Sequence, residues 1–190
     1  MKFQLRIREF LKYKFFNSLF LGISVGSIFI LYAPLQPSIY SLGGIALAFG
    51  MIGVAKLYYK ILNIEYFFRI SLFVELVLLV IIAYFLLFSY NYASALIMYA
   101  GYQLSFTFGS YLVRAETLFL KKRTPLSFVD VIKQKGYLVG MFLSWGFYKS
   151  LEYFGINDKQ IQVYDIHYLL FILELIIIFY LFKSFQRKSS

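Results

Sequence analysis

The sequence contains no cysteine, a single histidine and only nine acidic residues among 190. The absence of cysteine excludes disulfides and thiol chemistry. His167 is expected at a helix end beside Asp165, where a metal site would lack further ligands. The HExxH, G-x-S-x-G and P-loop patterns are also absent. We therefore expect the chain not to be an enzyme and to hold neither a metal nor a cofactor.

Apolar residues, in contrast, are abundant: 61% of the chain is hydrophobic and 15% is charged, a balance that soluble domains do not show. Charged residues are absent between Lys14 and Lys56, and only Glu75 interrupts the run from Arg69 to Arg114. A hydrocarbon core of about 30 Å takes about 20 residues per helix, so each run is long enough for two spans. This pattern predicts an all-α integral membrane protein.

Proline and clustered polar residues divide the apolar runs, because both interrupt helices. Pro34 and Pro37 divide the first run, and the sequence SYNYAS divides the second. Six transmembrane helices are predicted, at residues 15–33, 39–58, 70–89, 93–113, 135–154 and 166–182. Residues 1–14 are predicted as a basic amphipathic segment in the membrane interface. Residues 15–186 then form a single six-helix membrane domain, and residues 187–190 form a C-terminal tail.

Lysine and arginine are unevenly distributed along the chain. Of the 19 such residues, all except Lys149 and Lys159 fall in the N-terminal arm, two alternate loops and the C-terminal tail. Cytoplasmic loops carry an excess of these residues, so both termini are predicted to be cytoplasmic, in a bacterial inner membrane. The formal net charge of +10 follows from this topology, and nucleic acid is therefore not expected as a partner. The expected partner of the basic face is the anionic surface of the lipid bilayer.

Small residues four positions apart mark faces on which membrane helices approach closely. The first and fifth predicted helices carry them at Ser18, Gly22, Gly26, Gly136, Gly140 and Ser144. The second and fourth helices have similar patterns, whereas the third and sixth contain no glycine. We therefore predict a core of the first, second, fourth and fifth helices, with the third and sixth facing lipid.

The two halves of the chain share short similar stretches. LFVEL at residues 72–76 is similar to FILEL at residues 171–175, and GMIGVAKLYYK, from Gly50, is similar to GMFLSWGFYK, from Gly140. Three spans bring the chain to the other side of the membrane, so a second set of three spans has the opposite orientation. This predicts a possible 3+3 inverted repeat.

Six helices, cytoplasmic ends and a 3+3 plan make nearly the whole chain resemble one half of a major facilitator superfamily transporter. Gly53, Lys56 and Lys60 stand where that family has a loop motif, but its acidic residue and second glycine are missing. The resemblance implies a small-solute transporter subunit that works by alternating access. Because such transporters contain two halves, it also implies a homodimer or another paired half.

The fourth predicted helix carries a polar stripe. Its members are Tyr99, Gln103, Thr107, Tyr111 and Arg114, which follow one another at spacings of four and three and therefore share one face. A stripe of this kind is expected either to line a substrate pathway or to form a buried hydrogen-bond network between helices.

Acidic residues within or beside the predicted helices are the other candidate sites. Glu75 and Glu174 lie inside the third and sixth helices, where a carboxylate must be paired, face a polar cavity or be protonated. They are candidates for proton coupling, or for neutral glutamic acids bonded to a neighbouring helix. At the cytoplasmic rim, Arg114, Glu116 and Asp130 are candidates for a latch between the fourth and fifth helices. Asp130 is the expected partner of Arg114, because Glu116 is only two positions away.

Two other functional classes remain open from the sequence. One is a membrane-embedded substrate-binding subunit, which resembles the capture subunits of energy-coupling-factor vitamin importers in size and topology. The other is a non-transporting scaffold or assembly subunit, in which the polar stripe would contact another protein.

Overall fold

The computed structural model describes residues 3–88, 90–120 and 123–187. These residues form seven helices of at least 12 residues, one four-residue helical turn and two short strands. The elements are β1 (Phe3–Leu5), α1 (Ile7–Leu31), α2 (Pro37–Lys56), α3 (Tyr58–Ile61), α4 (Ile64–Leu87), α5 (Tyr92–Thr107), α6 (Gly109–Leu120), α7 (Arg123–Tyr153), α8 (Lys159–Ser184) and β2 (Phe185–Arg187). Residues 1–2, Ser89 and residues 188–190, which belong to the predicted N-terminal segment, third span and tail, lie outside the described residues.

Polar residues begin several helices by satisfying the free N–H groups of the first turn. The Asn63 and Asp158 side chains accept backbone N–H bonds at the starts of α4 and α8. Asn91 and Ser94 form a reciprocal capping box at the start of α5. Gly155, between α7 and α8, has φ of 83°, which glycine adopts without steric cost.

Four helices, α1, α2, α4 and α8, are long and apolar enough to cross a membrane. This confirms the helical, membrane-like character of the chain. The fourth predicted span is not one continuous helix, because the chain is interrupted at Phe108 between α5 and α6. The fifth predicted span lies almost entirely within α7, which is longer and more polar overall than the four apolar helices.

The two ends of the described chain lie together. β1 pairs antiparallel with β2, with Phe3 opposite Arg187, so the start of α1 and the end of α8 are adjacent. Residues 7–14, predicted as part of a separate N-terminal segment, instead form the first two turns of α1. Arg187, predicted to begin the tail, is the last residue of β2.

Each helix has a small set of principal neighbours. α1 packs mainly against α7 and α8, α4 against α8 and α5, and α2 against α5. The principal contacts therefore follow the order α7, α1, α8, α4, α5, α2.

The contact between α1 and α7 depends on the predicted small residues. A Cβ atom on Gly22 would collide with the Tyr137 carbonyl oxygen and lie 3.0 Å from the Gly140 Cα. A Cβ atom on Gly136 would collide in the same way with the Phe15 carbonyl oxygen. The backbones approach closely because these side chains are absent, which confirms the predicted contact face on both helices.

The prediction that the third and sixth helices lie outside is wrong. They correspond to α4 and α8, which lie in the middle of the contact order and contribute large buried side chains such as Phe85, Leu170 and Ile177. The second predicted helix, α2, is peripheral and has no buried residue. The error arose because bulky apolar residues suit lipid and a protein interior equally well, so their composition does not distinguish the two.

Candidate functional site: a buried carboxyl pair and an ion-paired network

The two central helices, α4 and α8, each place one glutamate in the interior of the bundle. Glu75 lies eleven residues after the start of α4, and Glu174 lies ten residues before the end of α8. Their side chains are almost fully buried, with relative exposures of 1% and 0%. The two carboxyl groups lie close enough for each to affect the ionisation of the other. The structure thus brings together both residues predicted as candidates for proton coupling.

Helix α1 supplies the polar partners of Glu75. The Tyr13 hydroxyl donates to Glu75 Oε1 at 2.6 Å, and the Asn17 side-chain amide donates to the same oxygen at 3.0 Å. Tyr13 and Asn17 lie four positions apart and therefore share one face of α1. This face is turned towards α4 and α8, because the opposite face of α1, which carries Gly22, packs against α7.

Several buried polar atoms of the site have no partner among the described residues. They are Glu75 Oε2, both Glu174 oxygens and the Tyr102 hydroxyl. Tyr102 is 5% exposed and lies near enough to Glu174 to be affected by the charge of its carboxylate. Buried polar groups in native proteins are nearly always hydrogen-bonded, so this cluster is an exception in the described interior.

A second buried carboxylate, Glu116 on α6, is held by two lysines. The Lys14 ammonium lies 2.6 Å from Glu116 Oε2, and the Lys133 ammonium lies 3.0 Å from Oε1. Glu116 is 4% exposed, so this three-residue network joins α1, α6 and α7 in a largely water-excluded place. It adjoins the carboxyl pair, because Lys14 directly follows Tyr13, whose hydroxyl donates to Glu75.

The charges of this network shift the titration of its members, which lie outside the predicted spans. Burial favours the neutral form of Glu116, but the charges and hydrogen bonds of Lys14 and Lys133 outweigh it and lower its pKa. Burial likewise favours the neutral Lys133 amine, but Glu116 and Asp130 raise its pKa. Both groups are therefore charged at neutral pH.

The residues predicted to form a latch make other ion pairs than expected. Glu116 pairs with Lys14 and Lys133. Asp130 is exposed and pairs with Lys133 at 3.4 Å. Arg114 is exposed, lies 5.9 Å from the centre of the Tyr58 ring and forms no ion pair with a described residue. The expected pair of Arg114 and Asp130 is therefore not formed.

The predicted polar stripe is divided between two helices. Tyr99, Gln103 and Thr107 lie on α5 and line an open groove of about 620 Å³ against α2. Tyr111 and Arg114 follow on α6, beyond the interruption at Phe108. Tyr111 is fully buried, and its hydroxyl donates to the Ile61 carbonyl at 2.8 Å.

The polar groups of the stripe are mostly used in local bonds. The Tyr99 hydroxyl donates to the Tyr40 carbonyl at 3.2 Å, and the Thr107 hydroxyl donates to the Gln103 carbonyl at 3.0 Å. Gln103 Oε1 has no partner among the described residues. The Gly101 and Ser105 face packs in the opposite direction, because Gly101 is tightly covered by Ile81 of α4.

His167 does not lie at a helix end, as the sequence suggested, but well inside α8. It is fully buried, its Nδ1 is 2.6 Å from the Val163 carbonyl oxygen, and its ring is 4.5 Å from that of Phe85. Across the described residues, no group of three or more histidine or acidic side chains is arranged to hold a metal ion.

Sequence reasoning missed the partners of the acidic residues. Tyr13, Lys14 and Asn17 stand where the N-terminal arm enters the first uncharged run, and Lys133 stands just before the fifth predicted span. The sequence position of Lys14 and Lys133 could have identified them, because each basic residue lies directly before or two residues before the start of a predicted span. No signal in the sequence distinguishes Tyr13 from the other tyrosines of the chain.

No protein-family model, curated protein or solved structure matches the chain.

Proposed function

We propose that the chain is a proton-coupled small-solute transporter subunit of a cell membrane. The observation that carries the proposal is the burial of Glu75 and Glu174 on two central helices that pack against each other. An ionisable pair is costly among apolar helices, and intramembrane carboxyl groups that persist there are typical of proton pathways. The neighbouring network of Glu116 would connect the pair to the basic face of the protein.

The proposed topology has six spans and cytoplasmic termini. Residues 93–113 of α5 and α6 form the fourth span, and the part of α7 that begins at residue 135 forms the fifth. The adjacency of β1 and β2 supports termini on one side, as an even number of spans requires. The excess of lysine and arginine supports the cytoplasmic side.

The order of helix neighbours supports an inverted repeat. One repeat contains α1, α2 and α4, and the other contains α5–α6, α7 and α8. In this repeat α1 corresponds to α5–α6, α2 to α7, and α4 to α8. When each helix is replaced by its counterpart, the order α7, α1, α8, α4, α5, α2 becomes the same order read backwards. The contact between α4 and α8 then lies on the pseudo-two-fold axis, where Glu75 corresponds to Glu174, as it does in the two similar sequence stretches.

The same exchange relates the α1–α7 contact to the α2–α5 contact. The first is closed by direct backbone approach at Gly22 and Gly140, whereas the second retains the open groove beside Gln103 and Thr107. One closed and one open contact are what alternating access needs, because an inverted repeat reaches its other state by exchanging the two conformations. The stripe residues that line this groove, Tyr99, Gln103 and Thr107, are the proposed substrate pathway.

The resemblance to half of a major facilitator transporter fits this scheme and adds that the chain pairs with a second copy or a similar half. α2 has no buried residue, so the side of this helix that faces away from α5 is exposed. This exposed side would be available for such pairing.

Accessibility of the stripe to water tests the proposal. The chain has no cysteine, so single cysteines at Gln103 and Thr107 can be labelled in membranes with an impermeant thiol reagent. We expect both to be labelled, with rates that depend on pH because protonation of the carboxyl pair shifts the conformational equilibrium. The Glu174→Gln substitution should remove that dependence. The thiolate fraction itself rises with pH, so the informative quantity is the ratio of rates with and without Glu174→Gln at each pH.

Ser105→Cys is the matched control, because Ser105 is buried on the opposite face of the same helix. It should remain unlabelled at every pH. If the stripe cysteines are also unlabelled, or if the ratio of their labelling rates with and without Glu174→Gln is the same at every pH, the transport proposal is wrong. The stripe is then packing, as expected of an assembly subunit.

A further inference from the structure

The two carboxyl groups of the central pair are not equivalent. Glu75 Oε1 accepts hydrogen bonds from both Tyr13 and Asn17. Glu174 accepts none from the described residues, and Glu75 Oε2 is also without a donor. A carboxylate is stabilised by donors, whereas a protonated carboxyl group is itself a donor. The surroundings therefore favour an ionised Glu75 and a protonated Glu174.

We infer that the pair holds one exchangeable proton, carried by Glu174 and donated to Glu75 Oε2, and that Tyr102 stabilises the Glu174 carboxylate when the proton leaves. The inference rests on the proposed function and deepens it, because it assigns the proton to one residue. A proton on Glu174 gives a partner to Glu75 Oε2 and to the Glu174 hydroxyl at the same time. Two of the orphaned atoms are thereby satisfied by one bond.

The charge balance of the buried network agrees with a single proton. The titratable and charged groups around the pair are Tyr13 and Lys14 on α1, Tyr102 on α5 and Glu116 on α6, with Lys133 of α7 beside Glu116. Glu116 and Asp130 already match the charges of Lys14 and Lys133, so with one proton the carboxyl pair keeps a single negative charge, which the donors Tyr13 and Asn17 stabilise on Glu75. Loss of that proton adds a second negative charge in the interior, which requires a new hydrogen-bond donor.

Tyr102 is the available donor. Its hydroxyl is buried and has no hydrogen-bond partner among the described residues. It also lies near enough to Glu174 to be affected by the charge of its carboxylate. In the proposed repeat, α1 corresponds to α5 and Glu75 corresponds to Glu174. Tyr102 on α5 would therefore donate to Glu174 as Tyr13 on α1 donates to Glu75. In the release step the O–H bond of Glu174 breaks, its electron pair stays on the carboxylate, and water takes up the proton. The Tyr102 hydroxyl then donates to the new carboxylate.

Infrared spectroscopy of the full chain in nanodiscs tests which residue holds the proton. A protonated carboxyl group has a C=O stretching band that an ionised group lacks. We expect this band at neutral pH in the unmodified chain and in Glu75→Gln, but not in Glu174→Gln. A band that survives Glu174→Gln and is lost in Glu75→Gln would assign the proton to Glu75. Absence of the band from the unmodified chain would mean that both groups are ionised, and either result overturns the inference.

The same band, followed against pH, tests the role of Tyr102. Tyr102→Phe removes the donor for the Glu174 carboxylate, so the midpoint for loss of the band should rise by about one pH unit. Tyr99→Phe is the matched control, because Tyr99 lies on the same helix but donates to the Tyr40 carbonyl. Its midpoint should not change. An equal shift in both variants, or no shift in Tyr102→Phe, contradicts the assignment.

The infrared experiment and the labelling experiment test two different proposals, and either proposal can be wrong while the other stands. If the band is assigned to Glu174 but the ratio of labelling rates with and without Glu174→Gln is the same at every pH, the proton site is correct and the transport proposal is wrong. If that ratio changes with pH but the band is lost only in Glu75→Gln, the transport proposal stands and the assignment to Glu174 is wrong.

Discussion

At the scale of single residues, Glu116 is the side chain whose loss should have the largest effect on stability. It is buried, and it forms ion pairs with both Lys14 and Lys133. Glu116→Gln leaves two lysine charges without their shared partner, and we expect it to lower the free energy of unfolding by about 3 kcal/mol at neutral pH. The measurement is thermal or denaturant unfolding in detergent. Glu152→Gln, which breaks an exposed pair with Lys149, is the control and should change stability by less than about 1 kcal/mol.

The effect of Glu116→Gln should also depend on pH. The pKa of Glu116 in the folded protein lies below the ordinary 4.5, so its ionisation stabilises the fold fully above that value. As the pH falls through the lower folded pKa, the carboxylate is protonated in both states and the contribution is lost. The stability difference between the two proteins should therefore shrink in acid. A difference that remains constant down to strongly acidic pH would show that the substitution acts through packing instead.

The acidic residues of the candidate site were predictable, but their partners were not. A carboxylate within an apolar run is conspicuous in any sequence, and Glu75 and Glu174 were identified on that ground. The bond from Tyr13 depends on which face of α1 turns towards α4, and the bond from Lys133 depends on how α6 meets α7. The incorrect pairing of Arg114 with Asp130 has the same origin, because distance along the chain carries little information on ion pairs between helices.

At the scale of helices, the closeness of α1 and α7 is the feature most open to test. Gly140→Ala places a Cβ atom against the Leu19 carbonyl oxygen, a backbone atom that cannot move without separating the helices. We expect a loss of about 1–3 kcal/mol of stability. Gly146→Ala, on the same helix, has open space around the new Cβ atom and should be neutral or stabilise the helix by up to about 1 kcal/mol. Comparable melting temperatures for the two variants would be incompatible with the close contact.

Glycine spacing predicted this contact because it reports on backbone approach, which has a steric cause. It predicted the positions of the other helices poorly. α2 carries Gly43, Gly44, Gly50 and Gly53, yet it lies at the edge and only Gly43 and Gly50 meet a side chain of α5. α4 and α8 lack glycine, yet they form the centre through interlocking large side chains. A small-residue pattern therefore identifies a possible contact face but not whether a partner occupies it.

At the scale of the whole molecule, the proposed inverted repeat requires that α7 cross the membrane. Three spans in each half are necessary for the halves to run in opposite senses. α7 has 31 residues, and Ser127 and Ser150, near its two ends, are both exposed. Their separation along a helix corresponds to about 35 Å at 1.5 Å per residue, enough to span a bilayer core of about 30 Å.

Single cysteines at these two serines distinguish a spanning α7 from one that lies along the surface. We expect Ser127→Cys to react with an impermeant thiol reagent only from the cytoplasmic side and Ser150→Cys only from the opposite side. Gln4→Cys in β1 is the reference for the side that carries the termini, and should follow Ser127→Cys. If all three cysteines react from one side, α7 does not cross the membrane. The repeats would then differ in their number of spans, and neither an inverted repeat nor a central axis through Glu75 and Glu174 would be possible.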